Sequence, residues 1–290
     1  MKKLTSLTAA ILISSLSTSI NASADDSTKV LVTISDAQGN LALTQQEIEV
    51  SDTDADGKLT ISDALYLAHD AHYEGGAAAG YRAEQTAYGL SLSKLWGSEN
   101  GGSYGYYLND AFALSLVDEI SSGDRINAYV FTDLETYSDT YCFFNGSTAD
   151  ITQGDELSLT LSAIAFDENY APVNVPCVGA EIIINGKNSG VFTDNNGKAA
   201  FTVSDSGRVI ISASSDKQTL VPPVCIVNSE ANPAITTTAA ASTTTPITTT
   251  VSAAAQTGSS SPNTGDSGIA AIALLMGVSV ALAIKSRHEN

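Results

Sequence analysis

Between Ser51 and Asp63 the chain reads SDTDADGKLTISD, and no other stretch restricts its fold as tightly. Asp52, Asp54 and Asp56 alternate ahead of Gly57, and Asp63 follows after Leu59 and Thr60. Two unit charges roughly 4 Å apart repel by about 4 kcal/mol at an effective dielectric near 20. The chain has few cations to offset this, with 13 Lys+Arg against 32 Asp+Glu and a formal net charge of −19. The loop therefore asks for an ion from solution. A hard divalent cation wants six or more oxygens. Alternate residues of one tight loop turn their carboxylates inward, and Gly57 supplies a bend that a Cβ would hinder. Lys58 would contribute only its carbonyl oxygen. Thr60 would offer a hydroxyl or hold a water, and Asp63 would close the site from the first turn of a helix. Thr60 and Asp63 also form a T-x-x-D capping pattern at that helix start. The expected ligands are Asp52, Asp54, Asp56, Lys58, Thr60 and Asp63, and the expected ion is Ca2+, because Mg2+ demands a stricter octahedron.

The spacing D-x-D-x-D-G-x-x-x-x-x-D, with apolar Leu59, resembles an EF-hand loop, and specifically that of dockerin modules, which close on Asp. The resemblance implies Ca2+ at residues 52–63 and, for a complete dockerin, a cohesin partner. A dockerin carries two such loops, and the sequence shows one. The loop is also led by strand-like QQEIEV instead of an apolar helix. Extracellular modules bind Ca2+ at about 10⁻⁴ to 10⁻³ M, so the ion is expected to be mainly structural, fixing the angle between strand and helix.

Around the loop, Val30, Val32 and Ile34 alternate as a strand, Gly39 and Asn40 mark a turn, and Leu41 to Val50 returns as a second strand. Ile61, Ala64, Leu65 and Ala68 fall at helical spacing and predict an amphipathic helix to about Tyr73, broken by EGGAAAG. GSYGYYLN, FALSLV and RINAYVF read as further strands, the last led by the turn SSGD. Hairpin, helix, a Tyr-rich strand before Asn109-Asp110 and a Gly123-Asp124 turn before another strand resemble the β-grasp domain of the transcobalamin and intrinsic-factor family. That resemblance spans roughly residues 29–133 and implies a structural or ligand-holding module.

From about Gly146 the texture changes. DELSLTLSAIAF alternates as a half-buried strand, and Asn185-Gly186, Asn196-Gly197 and Ser206-Gly207 separate further short strands, as in a sandwich. The pattern GAEIIINGK followed by TDNNGKA resembles the immunoglobulin-like repeats of bacterial surface adhesins. The expected fold class is therefore α+β followed by all-β. A β-grasp-like domain at 25–145 holds an EF-hand-like calcium loop before its helix, and an immunoglobulin-like β-sandwich follows at 146–228.

The ends read as processing and anchoring segments. Lys2 and Lys3, an apolar run and Ala22-x-Ala24 predict a secretory signal over residues 1–24. Residues 229–260 are Thr/Ala/Ser-rich, cannot bury a core and predict a disordered stalk. Residues 268–284 lack charge and reach the short limit for a membrane span, followed by Lys285 and Arg287. P-x-T-G before that span resembles the sorting signal of Gram-positive surface proteins, over residues 261–290. The resemblance implies sortase cleavage between Thr264 and Gly265 and attachment to the cell wall; Ser261 stands where the common motif has leucine. Without cleavage, the segment is a plain membrane anchor. Export permits a disulfide, and Cys142, Cys177 and Cys225 allow three pairings with one thiol left over.

Other chemistry is thinly marked. His69 and His72 lie at i, i+3 on the predicted helix and read as a wetted face. Trp96 with Tyr104, Tyr106 and Tyr107 reads as core, with a ligand-stacking surface as the rival. No nucleophile elbow, Cys–His arrangement or phosphate loop appears, and the acidic balance excludes nucleic acid as a partner. The expectation is an extracellular, surface-anchored, non-enzymatic calcium-binding protein. It would present a binding or adhesion module to a protein, carbohydrate or corrinoid-like ligand. A partial dockerin on a cohesin, cobalamin-like capture and an enzyme accessory unit are the alternatives.

Overall fold

The computed structural model describes residues 28–234. The signal segment with Ala24, the chain beyond Ala234, and Thr264 and Gly265 lie outside them. Among the described residues no helix is long and apolar enough to cross a membrane.

The N-terminal half, the head, begins with a hairpin of β1 (Thr28–Ser35) and β2 (Leu41–Val50). Period-2 alternation sends Val30, Val32 and Ile34 into the core. Helix α1 (Ile61–His72) lays Ile61, Ala64, Leu65 and Ala68 against this hairpin, all four fully buried. Full burial of a side chain such as Leu65 is worth about 1.5–3 kcal/mol. The run after α1 does not simply break: it forms a short helix α2 (Gly76–Gly80), then a separate hairpin of β3 (Arg82–Thr86) and β4 (Gly89–Lys94). Strands β5 (Tyr104–Leu108), β6 (Ala111–Phe112) and β7 (Arg125–Val130) complete the main sheet, in the order β2-β1-β7-β5-β6. The β1–β7 pair is parallel and the remaining pairs are antiparallel. Of the expected strand FALSLV, residues 112–117, only Phe112 lies in a strand. Asp118 takes up the backbone N–H groups of Leu114 and Ser115 instead, and the chain turns there.

The second half is a two-sheet sandwich. Its first sheet holds β8 (Thr140–Phe144), β10 (Glu156–Phe166), β11 (Pro172–Pro176), β14 (Lys198–Thr202) and β16 (Leu220–Val221). Its second has the order β13 (Lys187–Phe192), β12 (Glu181–Ile184), β15 (Gly207–Ser214), β17 (Cys225–Glu230), β9 (Thr148–Thr152). Leu157, Leu159 and Leu161 from one sheet meet Ile182, Val209, Ile211 and Val227 from the other in one core. Because β8 pairs with β10, the sandwich starts ahead of residue 146. Asn185 and Gly186, both at positive φ, join β12 and β13 as the expected hairpin. Asn196-Gly197 does not make a second one, because it carries the chain from one sheet to the other. Gly197 is required there by contact as well as by φ of 74°, since a Cβ would stand 2.3 Å from the carbonyl oxygen of Leu161.

Head and sandwich are tightly joined. Tyr107 of the head and Tyr141 of the sandwich stack with ring centroids 3.5 Å apart. The Tyr141 hydroxyl donates to Asp110 at 2.8 Å and accepts from the Asn127 amide at 2.8 Å, while Arg125 pairs with Asp110 at 2.7 Å. Gln45, at a β-bulge with φ of 41°, donates from Nε2 to the carbonyls of Ser147 and Val224. Arg208 reaches the carbonyl of Thr44 at 2.8 Å.

Candidate metal centre

The acidic loop runs from the end of β2 to the start of α1. Asp52 organises its first half. One carboxylate oxygen accepts from the N–H groups of Ala55 at 2.7 Å and Asp56 at 3.3 Å, and the other accepts from Gly57 at 2.8 Å. Ala55 and Gly57 sit at φ of 62° and 87°, so the chain curls around that carboxylate. Asp54 accepts from the N–H of Asp56, and Asp56 from that of Lys58.

Asp63 organises the second half. One of its oxygens accepts from the N–H and hydroxyl of Thr53, at 2.9 and 2.5 Å. The other accepts from the N–H and hydroxyl of Thr60, at 2.9 and 2.7 Å. Thr60 and Asp63 thus form the expected capping box, and Asp63 is 2% exposed. All four of its lone-pair sites are filled. The exit of the loop is sewn to residues 116–120. Leu59 accepts from the N–H of Ile120, Thr60 bridges Glu119, and Ile61 and Ser62 donate to Asp118 and Leu116.

Asp52, Asp54 and Asp63 each bring a carboxylate oxygen within 4.8 Å of the others. That is the span between two oxygens on opposite sides of one Ca2+ ion, at a Ca–O distance of about 2.4 Å. The set is all hard oxygen, as Ca2+ requires. Asp63 can join it by giving up a hydroxyl hydrogen bond from Thr53 or Thr60. Asp56 lies outside this group of three. Lys58 sends its ammonium to Glu119 at 2.5 Å, leaving only its carbonyl for the loop.

The carboxyl groups are unequal. Hydrogen bonds, that of Gly57 foremost, hold Asp52 below the usual carboxylate range. Desolvation and repulsion by Asp56 and Asp63 push Asp54 up, outweighing the hydrogen bond from Asp56. Burial raises Asp63, but the hydrogen bonds of Thr53 and Thr60 prevail and hold it low.

The remaining candidates fall elsewhere. His69 is fully buried, against the expectation of a wetted face; His72 is exposed. One His69 ring nitrogen lies 2.6 Å from the Leu65 carbonyl, and the other accepts from the Trp96 N–H at 3.0 Å. Both nitrogens are spent, and burial pushes the imidazole down to about 4. The aromatic group divides. Trp96, Tyr104 and Tyr106 pack on the head core, while Tyr107 belongs to the junction with the sandwich. Cys142, Cys177 and Cys225 are buried free thiols, so none of the three pairings is formed. Burial raises all three, Cys225 to about 11, which keeps them protonated. Thr53, Glu119 and Ile120 escaped the sequence reading. Thr53 occupies a loop position with no ligand role, and the other two come from distant sequence.

No family profile and no curated protein matches the chain. Some solved structures align loosely. The N-terminal four Ig domains of Dscam1 isoform 9.44 match at 13% identity and a TM-score of 0.20, over 52% of this chain and 32% of that one. The chain thus spans about a third of that structure. The corresponding Dscam1 isoform 4.44 structure matches at 10% identity and 0.21, over 70% and 44%. The D0-D1 domain of Intimin matches at 13% identity and 0.22, over 51% and 76%. At such scores the likeness carries no argument. The strand order speaks for itself: β8, β10 and β14 share one sheet and β12, β15 and β17 the other, consistent with an immunoglobulin-like sandwich.

Proposed function

We propose that this chain is a calcium-braced, non-enzymatic binding module, displayed outside the cell and anchored through its C-terminal segment. The observation that carries the reading is the convergence of Asp52, Asp54 and Asp63 at the entrance to α1. A Ca2+ ion held there, with carbonyl oxygen from Lys58 and Asp56 or water completing the shell, would offset the desolvation and carboxylate repulsion that raise Asp54. It would lock β2, α1 and residues 116–120 into one unit. A β-grasp assignment of the head is supported by the order β2-β1-β7-β5-β6, its central parallel pair and the helix packed on the β1–β2 hairpin. The apolar face of α1 is used for this packing, which favours a brace over a docking helix. Thermal unfolding with and without Ca2+ tests the proposal. A midpoint that rises with Ca2+, falls with chelator and loses both responses in Asp52→Ala is expected. A midpoint indifferent to both sinks the metal site.

A further inference from the structure

Between the β1–β2 turn of the head and the outer face of the β12–β15 sheet lies an open cleft of about 630 Å³. Small-ligand sites span about 300–1,000 Å³ and favour domain junctions. Strand alternation explains its floor. Val209, Ile211 and Ala213 point into the sandwich core, so Ile210, Ser212 and Ser214 face the cleft. Ile182 points inward, and Ile183 therefore faces the cleft as well. Across from them stand Gln38 and Thr44 of the head. No charged side chain lines the cleft, in a chain of net charge −19.

Ser212 is 7% exposed, and it lines the cleft. A hydroxyl at that place can both donate to and accept from a ligand in the cleft. The chemistry narrows what that ligand is. The uncharged lining offers nothing to an ionic group. A peptide strand cannot be added at the floor, because β12 pairs with β13 and β15, and β15 with β12 and β17. A purely apolar molecule would leave the amide and hydroxyl rim unsatisfied.

We propose that the cleft binds a neutral oligosaccharide. Ring C–H faces rest on Ile183 and Ile210, and sugar hydroxyls bond to Ser212, Gln38 and Thr44. No aromatic ring lines the cleft, so affinity in the millimolar range is expected. The proposal gives the binding module a ligand class and rests on that reading, but not on the calcium site.

The test is a calorimetric titration of the full-length protein with neutral hexasaccharides: β-1,4-glucan, β-1,4-xylan, β-1,4-mannan and α-1,4-glucan. At least one should bind saturably. Ser212→Leu should weaken it about fivefold, the worth of one neutral hydrogen bond. Gln38→Ala, on the exposed turn, should weaken it while leaving the fold untouched. No saturable binding of any sugar, binding unchanged by both variants, or equal binding of an uncharged Ser/Asn/Gly peptide overturns the proposal. Any of those results alongside an intact Ca2+ response leaves the calcium-braced module standing.

Discussion

Two loops of this molecule begin alike and end differently. Asp52 in the head and Asp194 in the sandwich each gather backbone N–H groups, Asp194 those of Asn196 and Lys198. Each loop places a glycine at positive φ, Gly57 and Gly197. Asp194 is held low by those hydrogen bonds, with Lys198 adding a favourable charge, and its loop is complete in itself. Asp52 has Asp54 and Asp63 for company. Backbone curl is thus a turn device common to both, and only the added carboxylates create a demand for a cation. The sandwich loop ends a strand, while the head loop must also start a helix and hold a distant segment.

The largest effect should come from Asp63, on which both halves of the head loop converge. Asp63→Ala removes a buried carboxylate bonded to Thr53 and Thr60 and leaves their N–H groups unpaired. A loss of about 4 kcal/mol is expected by urea unfolding without Ca2+, and a larger one with it, because the variant also loses a Ca2+ ligand. A loss that appears only with Ca2+ would show that the capping role is minor.

Acid should separate the two halves next. His69 is buried in the head, and its folded value of about 4 lies below the ordinary 6.5. Below the unfolded value the unfolded chain takes up a proton that the folded chain refuses. Stability therefore falls as pH drops from about 6.5 and levels off near 4, a loss of about 3 kcal/mol. Asp63, held low, adds to the loss at still lower pH as it is protonated. His69→Gln should flatten the upper part of this profile. An unchanged profile in that variant would show that the imidazole is not the group responsible.

Ca2+ itself comes third. At a hundredfold excess over Kd, an ion bound only to the folded state adds about 2.7 kcal/mol. Asp52→Ala should abolish that increment. Asp194→Ala should leave it whole, with only a small loss of baseline stability. Equal sensitivity of the two variants would erase the distinction between the loops.

What could be read in advance follows from how local each feature is. The Thr60–Asp63 box and the apolar face of α1 lie within a few turns of chain, and the structure keeps them; of the six expected ligands it groups Asp52, Asp54 and Asp63. Glu119 and Ile120 reach the loop only through tertiary pairing, which no local pattern announces. His69 lies one turn beyond Leu65, on the margin of the stripe read from Ile61, Ala64, Leu65 and Ala68. It is buried because Trp96, arriving from beyond β4, closes over it. The β3–β4 hairpin was missed because RAEQT has no apolar alternation and is mostly exposed. Asn196-Gly197 misled for the opposite reason: its turn chemistry is right, but which strands it joins depends on the sheets around it.

The smallest effect tests how the head loop disposes of its own lysine. Lys58 sits inside the acidic run yet turns outward to Glu119, whose hydrogen bond and charge raise the ammonium further. Both partners are exposed, and exposed pairs contribute little. Lys58→Ala should therefore barely move baseline stability. Ca2+ affinity should be unchanged or slightly higher, because the carbonyl remains and a nearby positive charge is gone. Asp54→Asn should act the other way, weakening Ca2+ binding while easing the repulsion within the apo loop. The apo protein then becomes no less stable and the Ca2+ increment shrinks. Opposite signs for one substitution in the presence and absence of the ion are what the Asp194 loop, with no crowding to relieve, cannot produce.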